Sequence, residues 1–372
     1  MGRKPLAFLA VVRRPGGVLL VCVALCTLAL ALAITTFNVS GAGTSNGLGT
    51  FAFSINTGGT IQGYYADNSN VAHGFVRSSA GIITKFDAAG AGTASGQGTV
   101  PESLNAGGAS TGYYVDKNNV FHGFVRSHAG TITKFNAAAA GSGAFQGTVP
   151  GTINLSGEIA GFYVDSAGVG HGFDRSSTGT LIAFDAPGAG TGAGQGTFTA
   201  FGDSLNDNGY IAGDYIDANG VARGYIRAPG GAFTTFSVGQ GTFALGINLA
   251  GTFLGLYKDA RGANQGFVRS SGGTITKFSV IGAGTASGQG TLPQSINSTG
   301  LVVGYYIDST GAAHAFDRFA TGLIRKFYVR GAGTASGQGT FAFSNNSEGV
   351  MAGDYVDKTG VAHGFLANPN ER

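Results

Sequence analysis

Asp67, His73 and Arg77 stand at intervals of six and four residues in this chain. A carboxylate, an imidazole and a guanidinium at such spacing could run acid–base chemistry or, with added oxygen ligands, hold a metal ion. The pattern is not unique. It returns as Asp116, His122 and Arg126, as Asp165, His171 and Arg175, and as Asp308, His314 and Arg318. Asp357 and His363 repeat it without the arginine, and in two more copies Asp217 and Asp259 are followed by Arg223 and Gln265 in the histidine position. A catalytic centre is used once, whereas a feature needed in every copy of a repeat is needed to build the copy. Asp67, Asp116, Asp165, His73, His122, His171, His314 and His363 therefore read as a structural network, with the aspartates opening turns and the histidines finding a polar partner. An asparagine preceding each trio, beginning Asn56, Asn105 and Asn154, belongs to the same set.

The elements that carry these residues follow from the repeat itself. Successive copies of the histidine position lie 49, 49, 52, 42, 49 and 49 residues apart. Each copy holds four short β-rich segments. In the first they are 50–56, 60–67, 71–77 and 82–87, separated by Gly58-Gly59, Asp67-Asn-Ser-Asn70 and Ala80-Gly81. Four strands joined by tight polar turns, at a period near fifty, predict an all-β, seven-bladed β-propeller of four-stranded antiparallel blades. The last copy ends after its third strand, and Ile34-Thr-Thr-Phe-Asn38 matches the fourth strands Ile132–Asn136 and Ile275–Phe278. The N-terminal strand is thus expected to complete the last blade, which removes two open sheet edges. His73, Phe75 and Arg77 share strand parity and are expected on the face that packs against the next blade.

Residues 1–33 are a separate object. Arg3, Lys4, Arg13 and Arg14 precede an apolar stretch ending Ala29-Leu-Ala31-Leu-Ala33, which reads as a Sec-type signal peptide, with an uncleaved signal anchor as the alternative. The mature domain is then 34–372, a single propeller that is secreted or displayed at the cell surface. Removing four basic residues leaves 18 against 19 acidic ones, so a nucleic-acid partner has no electrostatic case. Both cysteines, Cys22 and Cys26, fall in the leader, so the mature chain needs no disulfide. The Asp turns lack the further acidic residues of a calcium loop, and the GxGxxxG connectors such as Gly90–Thr99 have neither the spacing nor the helix of a dinucleotide site. No metal and no cofactor is expected, and after cleavage nothing ties the chain to a membrane. A monomer is the expected state.

Function should be marked where the repeat is broken. Asp214 and Asp354 replace an aromatic or aliphatic residue ahead of the recurring tyrosine, and Asp174 and Asp317 replace a valine after His-Gly-Phe or its equivalent. Tyr64, Tyr113 and Tyr305, expected to be exposed, could stack on sugar rings. These residues, with Asp214 and Asp354, are the candidate ligand-facing set. The connectors and the Asp turns are expected on one face, the binding surface for an extracellular protein or polysaccharide. The alternative is a polysaccharide lyase or hydrolase using Asp214, Asp354, Asp174 and Asp317 as its carboxylates. A purely structural surface component is a third reading. Asn154 and Asn297 match the glycosylation sequon but belong to the recurring structural set.

The segment His314-Ala-Phe316, with His-Gly-Phe in four other copies and the Ile153-Asn154 to Gly161 portion, resembles the bacterial extracellular HAF-repeat family. The resemblance spans essentially all of 34–372. This chain departs from the family in having no tryptophan, and arginine stands in that region instead. The resemblance implies a propeller and an extracellular location, and it transfers no active-site residue.

Overall fold

A computed structural model describes residues 32–369. They form twenty-eight strands and, among the described residues, no helix. In the first repeat the strands Gly49–Ile55, Ile61–Ala66, Ala72–Arg77 and Ile83–Phe86 pair in order, all antiparallel. Side chains build the turns between them. The Asn56 side-chain oxygen accepts the Thr60 N–H at 3.0 Å, and Asp67 Oδ1 accepts the N–H groups of Ser69 and Val71 at 2.8 and 3.0 Å. Both are turn-forming bonds that take their residue out of the ladder. The strands are therefore a residue or so shorter than the alternation of residue types suggests.

Adjacent units meet at an aromatic seam. Phe75 lies edge-on to Phe37 of the unit before it, with centroids 6.0 Å apart, and the Arg77 guanidinium stacks over the same ring at 5.0 Å. The arrangement recurs as Phe124 and Arg126 on Phe86, Phe173 and Arg175 on Phe135, and Phe316 and Arg318 on Phe278. The His73, Phe75, Arg77 face thus packs on the preceding unit, contrary to the expectation that it meets the following one. The opposite face carries Gly74, across which the fourth-strand Phe86 lies; a Cβ there would sit 2.7 Å from that ring. Phe86 then presents its edge to Phe124, and this sets the direction of packing.

The Gly-rich connectors end in a close backbone approach. Gly98 starts a first strand and forms a parallel bridge to Ala72, which starts the third strand of the previous unit. Its φ is +117°, and a Cβ would lie 2.0 Å from the Ala72 carbonyl oxygen. Gly49, Gly147, Gly196, Gly290 and Gly339 make the equivalent bridges. The following threonine secures the connector: Thr99 Oγ1 accepts the Ala88 N–H at 3.0 Å.

The C-terminal strands Gly339–Asn345, Met351–Val356 and Ala362–Asn368 are joined by the N-terminal strand Ala33–Phe37, which pairs antiparallel with the last of them from Ala33 opposite Asn368 to Phe37 opposite Gly364. The expected leader lies outside the described residues apart from Leu32 and Ala33. The recurring asparagines form a sequence of hydrogen bonds. Asn56 donates to the Asn105 carbonyl, Asn105 to Asn154, Asn154 to Asn206, Asn206 to Asn248, Asn248 to Asn297 and Asn297 to Asn346. Asn346 donates to the carbonyl of Asn56 at 3.2 Å.

Two substitutions separate these roles. Gly98→Ala should cost more than about 3 kcal/mol, because positive-φ strain adds to a backbone clash, whereas Gly96→Ala, with φ +80° and open space around it, should cost about 1 kcal/mol. Equal losses in chemical denaturation would refute the close-approach explanation. Asn248→Ala removes a donor and an acceptor at a buried position and should cost about 2–4 kcal/mol by the same measurement. A change within about 0.5 kcal/mol would leave the amide sequence without a structural role.

Candidate functional site

The recurring Asp–His pairs are local. His122 Nε2 lies 3.3 Å from Asp116, His314 Nε2 2.9 Å from Asp308 and His363 Nε2 3.2 Å from Asp357. Each of these imidazoles stacks on the tyrosine of its own unit, as His122 does on Tyr114 at 4.8 Å between centroids. Where histidine is replaced the donor survives: Arg223 Nε donates to Asp217 at 2.8 Å and Gln265 Nε2 to Asp259 at 3.2 Å. The turn N–H groups and these donors hold the aspartates below the usual carboxylate range, although partial burial of Asp308 and Asp357 pushes against it. All of them hold turns and none faces a cavity. Asn154 and Asn297, the sequon asparagines, are buried with both ends of the amide hydrogen-bonded.

A cavity of about 560 Å³ opens instead beside the first and second strands of several units. Its wall is aromatic: Phe51, Phe53, Tyr64, Tyr113, Phe121, Phe145, Phe201 and Phe343. Glu102, Asp203 and Gln294 supply the polar groups, and connector and Asp-turn residues (Gly47, Gly96, Gln97, Asn70) form its mouth. A size of a few hundred Å³ with apolar walls and a few convergent polar groups is typical of small-ligand sites.

The floor is an insertion. In the fourth repeat the first strand stops at Thr199, and three extra residues carry the chain through Phe201, Gly202 and Asp203 before Asn206 resumes the pattern. The Gly202 carbonyl accepts bonds from Ser103 at 3.3 Å and Thr152 at 2.6 Å, and the Gly202 N–H donates to Gly151 at 3.0 Å. The Asp203 carbonyl accepts the Ile247 N–H at 2.9 Å, and its carboxylate accepts the Ser295 hydroxyl. One short segment therefore ties the second, third, fifth and sixth repeats together. A separate recess of about 210 Å³, lined by Ser54, Ser103, Thr152 and Asn206, lies on the asparagine side of it.

The candidate residues are placed unevenly. Tyr64 and Tyr113 line the cavity but are half-buried, not exposed, because Tyr64 stacks on Phe51 at 4.9 Å and Tyr113 meets Phe121 edge-on at 5.4 Å. Tyr305 is half-buried against Phe341 and Phe343 and does not reach the cavity wall. Asp214 accepts the Ala244 N–H at 3.2 Å, and burial pushes its carboxyl up to about 7. Asp354 is buried with Oδ1 unbonded, and burial drives it well above the usual range. Asp174 pairs with Arg227 at 3.4 Å and Asp317 with Arg325. None of the four acids lines the cavity.

The residues that do mark the cavity are other departures from the repeat. Glu102 stands where two copies have phenylalanine, Phe121 where most have a small residue, and Phe145 where the other long connectors have glycine. Phe145 keeps the glycine conformation, φ +63°, with its side chain 70% exposed. A bulky side chain in that region is strained, and such strain gathers at ligand sites. The insertion accounts for the 52-residue interval, which was the available signal for it in the sequence.

No protein-family model matches the chain, and no curated protein matches it in sequence. Solved structures do. The BP39L lectin from Burkholderia pseudomallei aligns with a TM-score of 0.53 at 13% identity, over 89% of this chain and 99% of that one. A puromycin hydrolase mutant complexed with PGG aligns at 0.50 and 12% identity, over 84% of this chain and 53% of that chain, so this chain spans about half its length. The six-bladed β-propeller lectin from Aleuria aurantia aligns at 0.42 and 13%. The fold is of the β-propeller kind. At these identities the likeness concerns the fold.

Glu102 provides a test of the cavity's environment. No neighbouring donor or cation offsets its burial, which pushes its carboxyl from 4.5 up to about 8. An acid raised in the folded state binds more protons folded than unfolded, so its effect on stability is nil below about pH 4.5 and grows more unfavourable as pH rises through 8. Glu102→Gln should leave denaturant stability at pH 4 unchanged and raise it by about 1–3 kcal/mol at pH 9. An equal effect at both pH values would show Glu102 to be solvated.

Proposed function

We propose that this protein is a secreted, non-enzymatic binding module whose ligand is a glycan seated in the aromatic cavity. One observation carries the reading: Glu102 and Phe121 of the second repeat, Phe145 of the connector after it and the 201–203 insertion of the fourth repeat each break the pattern and line the same cavity. Drift scattered over a ring of repeats would not gather them at one place. Flat aromatic faces with carboxyl and amide groups between them suit a pyranose ring, whose C–H face stacks while its hydroxyls are hydrogen-bonded. A lectin shares the fold along its whole length, which agrees with this use of the scaffold. Because the insertion floors the cavity, the glycan would enter by a chain end or a branch.

The same proposal includes the architecture that holds the cavity. The repeats form a closed ring of seven four-stranded blades, the last completed by the N-terminal strand. Support comes from the pairing of Ala33–Phe37 with Ala362–Asn368 and from the Asn346 bond back to Asn56. The resemblance to HAF repeats and the signal-like 1–33 segment support a location outside the cell, and the same proposal takes the domain as a monomer.

Phe145 separates binding from folding. Phe145→Gly relieves the positive-φ strain, so the thermal midpoint should hold or rise slightly, while affinity for a captured oligosaccharide falls tenfold or more. Calorimetric titration of wild type against an oligosaccharide panel comes first. If Phe145→Gly binds as wild type does, the rim of this cavity is not the site.

A further inference from the structure

The charge balance of the cavity is one-sided. Glu102 and Asp203 line it, and no lysine, arginine or histidine does. Asp354, buried and with one oxygen unbonded, acts on Tyr64 from behind the wall. Elsewhere the chain places its cations over rings systematically, as Arg126 over Phe86 and Lys134 over Tyr114, so their absence from this lining leaves an aromatic wall without a cation beside an unpaired carboxyl group. Aromatic faces attract a cation through their quadrupole, and the attraction strengthens when water is excluded. An acidic glycan finds no basic group in this lining, and a neutral sugar would leave the Glu102 carboxyl buried without the counter-charge that an incoming cation supplies. Phe145 and Phe121 add flat apolar area larger than a bare ammonium group needs, which points to a ring carrying the charge.

We infer that the cavity takes an amino sugar, with its protonated amine seated against Glu102 between Tyr64 and Tyr113 and its pyranose ring against Phe121 and Phe145. The inference rests on the glycan reading above and narrows it to one class. Asp203 contributes as the second carboxyl group at the floor, held by Ser295. The incoming ammonium favours the ionised form of Glu102, and their pairing offsets part of the cost of burying either charge alone.

The test compares three probes on the full chain by calorimetric titration: a glucosamine trimer, the same trimer N-acetylated, and trilysine. The two saccharides differ in the charged amine and its acetyl cap. The glucosamine trimer should bind at least tenfold more tightly than its acetylated form, and Glu102→Gln should remove most of that difference. Tighter or equal binding of the acetylated trimer, unaffected by Glu102→Gln, would overturn the amine assignment and leave the glycan reading standing. Trilysine binding more tightly than either saccharide would overturn it in favour of a cationic peptide. Failure of every saccharide in the wider panel would remove the glycan reading and this inference with it.

Discussion

Each asparagine amide at the end of a first strand serves two units at once. Its oxygen accepts the N–H four residues on, as Asn56 does from Thr60 and Asn297 from Leu301, which sets the turn of its own unit. Its nitrogen donates to the carbonyl of the equivalent asparagine in the next unit, which sets the spacing between sheets. An aspartate would lack the donor and a leucine would lack both groups, so the residue type follows from the double duty. These amides are buried, where an unmet polar group is costly, and a small shift between two units is therefore resisted. The Phe–Arg seam and the glycine bridges then act on units already tied by these amides.

Much of this frame was legible in the residue order. Turn chemistry at Gly58-Gly59, Asp67 and Gly81, the four-strand meander and the strand parity of His73, Phe75 and Arg77 depend on contacts within about twenty residues of one another. Which neighbour that face would meet was not legible, because it depends on Phe86 lying across Gly74, a contact that only the assembled sheet defines. The same limit applies to Arg223 and Gln265. In sequence they look like loss of a histidine, but in space the hydrogen bond to the aspartate persists.

The candidate site was half legible for a related reason. Tyr64 and Tyr113, chosen as exposed rings able to stack on a sugar, line the cavity but are half-buried. The acids chosen beside them differ from their counterparts but are held by an N–H group, an arginine or the sheet interior: Asp214 by Ala244, Asp174 by Arg227 and Asp317 by Arg325. Glu102, Phe121 and Phe145 are equally unusual among their counterparts, but their convergence with the 201–203 insertion appears only when the second, third and fourth repeats are arranged around one space. A break in a repeat identifies a candidate, and the company it keeps in space decides what the break does.

The pairing of Ala33–Phe37 with Ala362–Asn368 has a consequence in time. The first strand of the described chain can find its partner only after the last one has been made. The contact spans more than three hundred residues, so forming it early would carry a large loop-closure entropy. Interior meanders can form from local contacts as the chain lengthens, whereas the final one is a late event of high contact order. Until that event, Ala362–Asn368 has an open edge and the seam around Phe37 has no ring to fill it. The molecule is therefore most exposed to misassociation in the interval before these two strands pair.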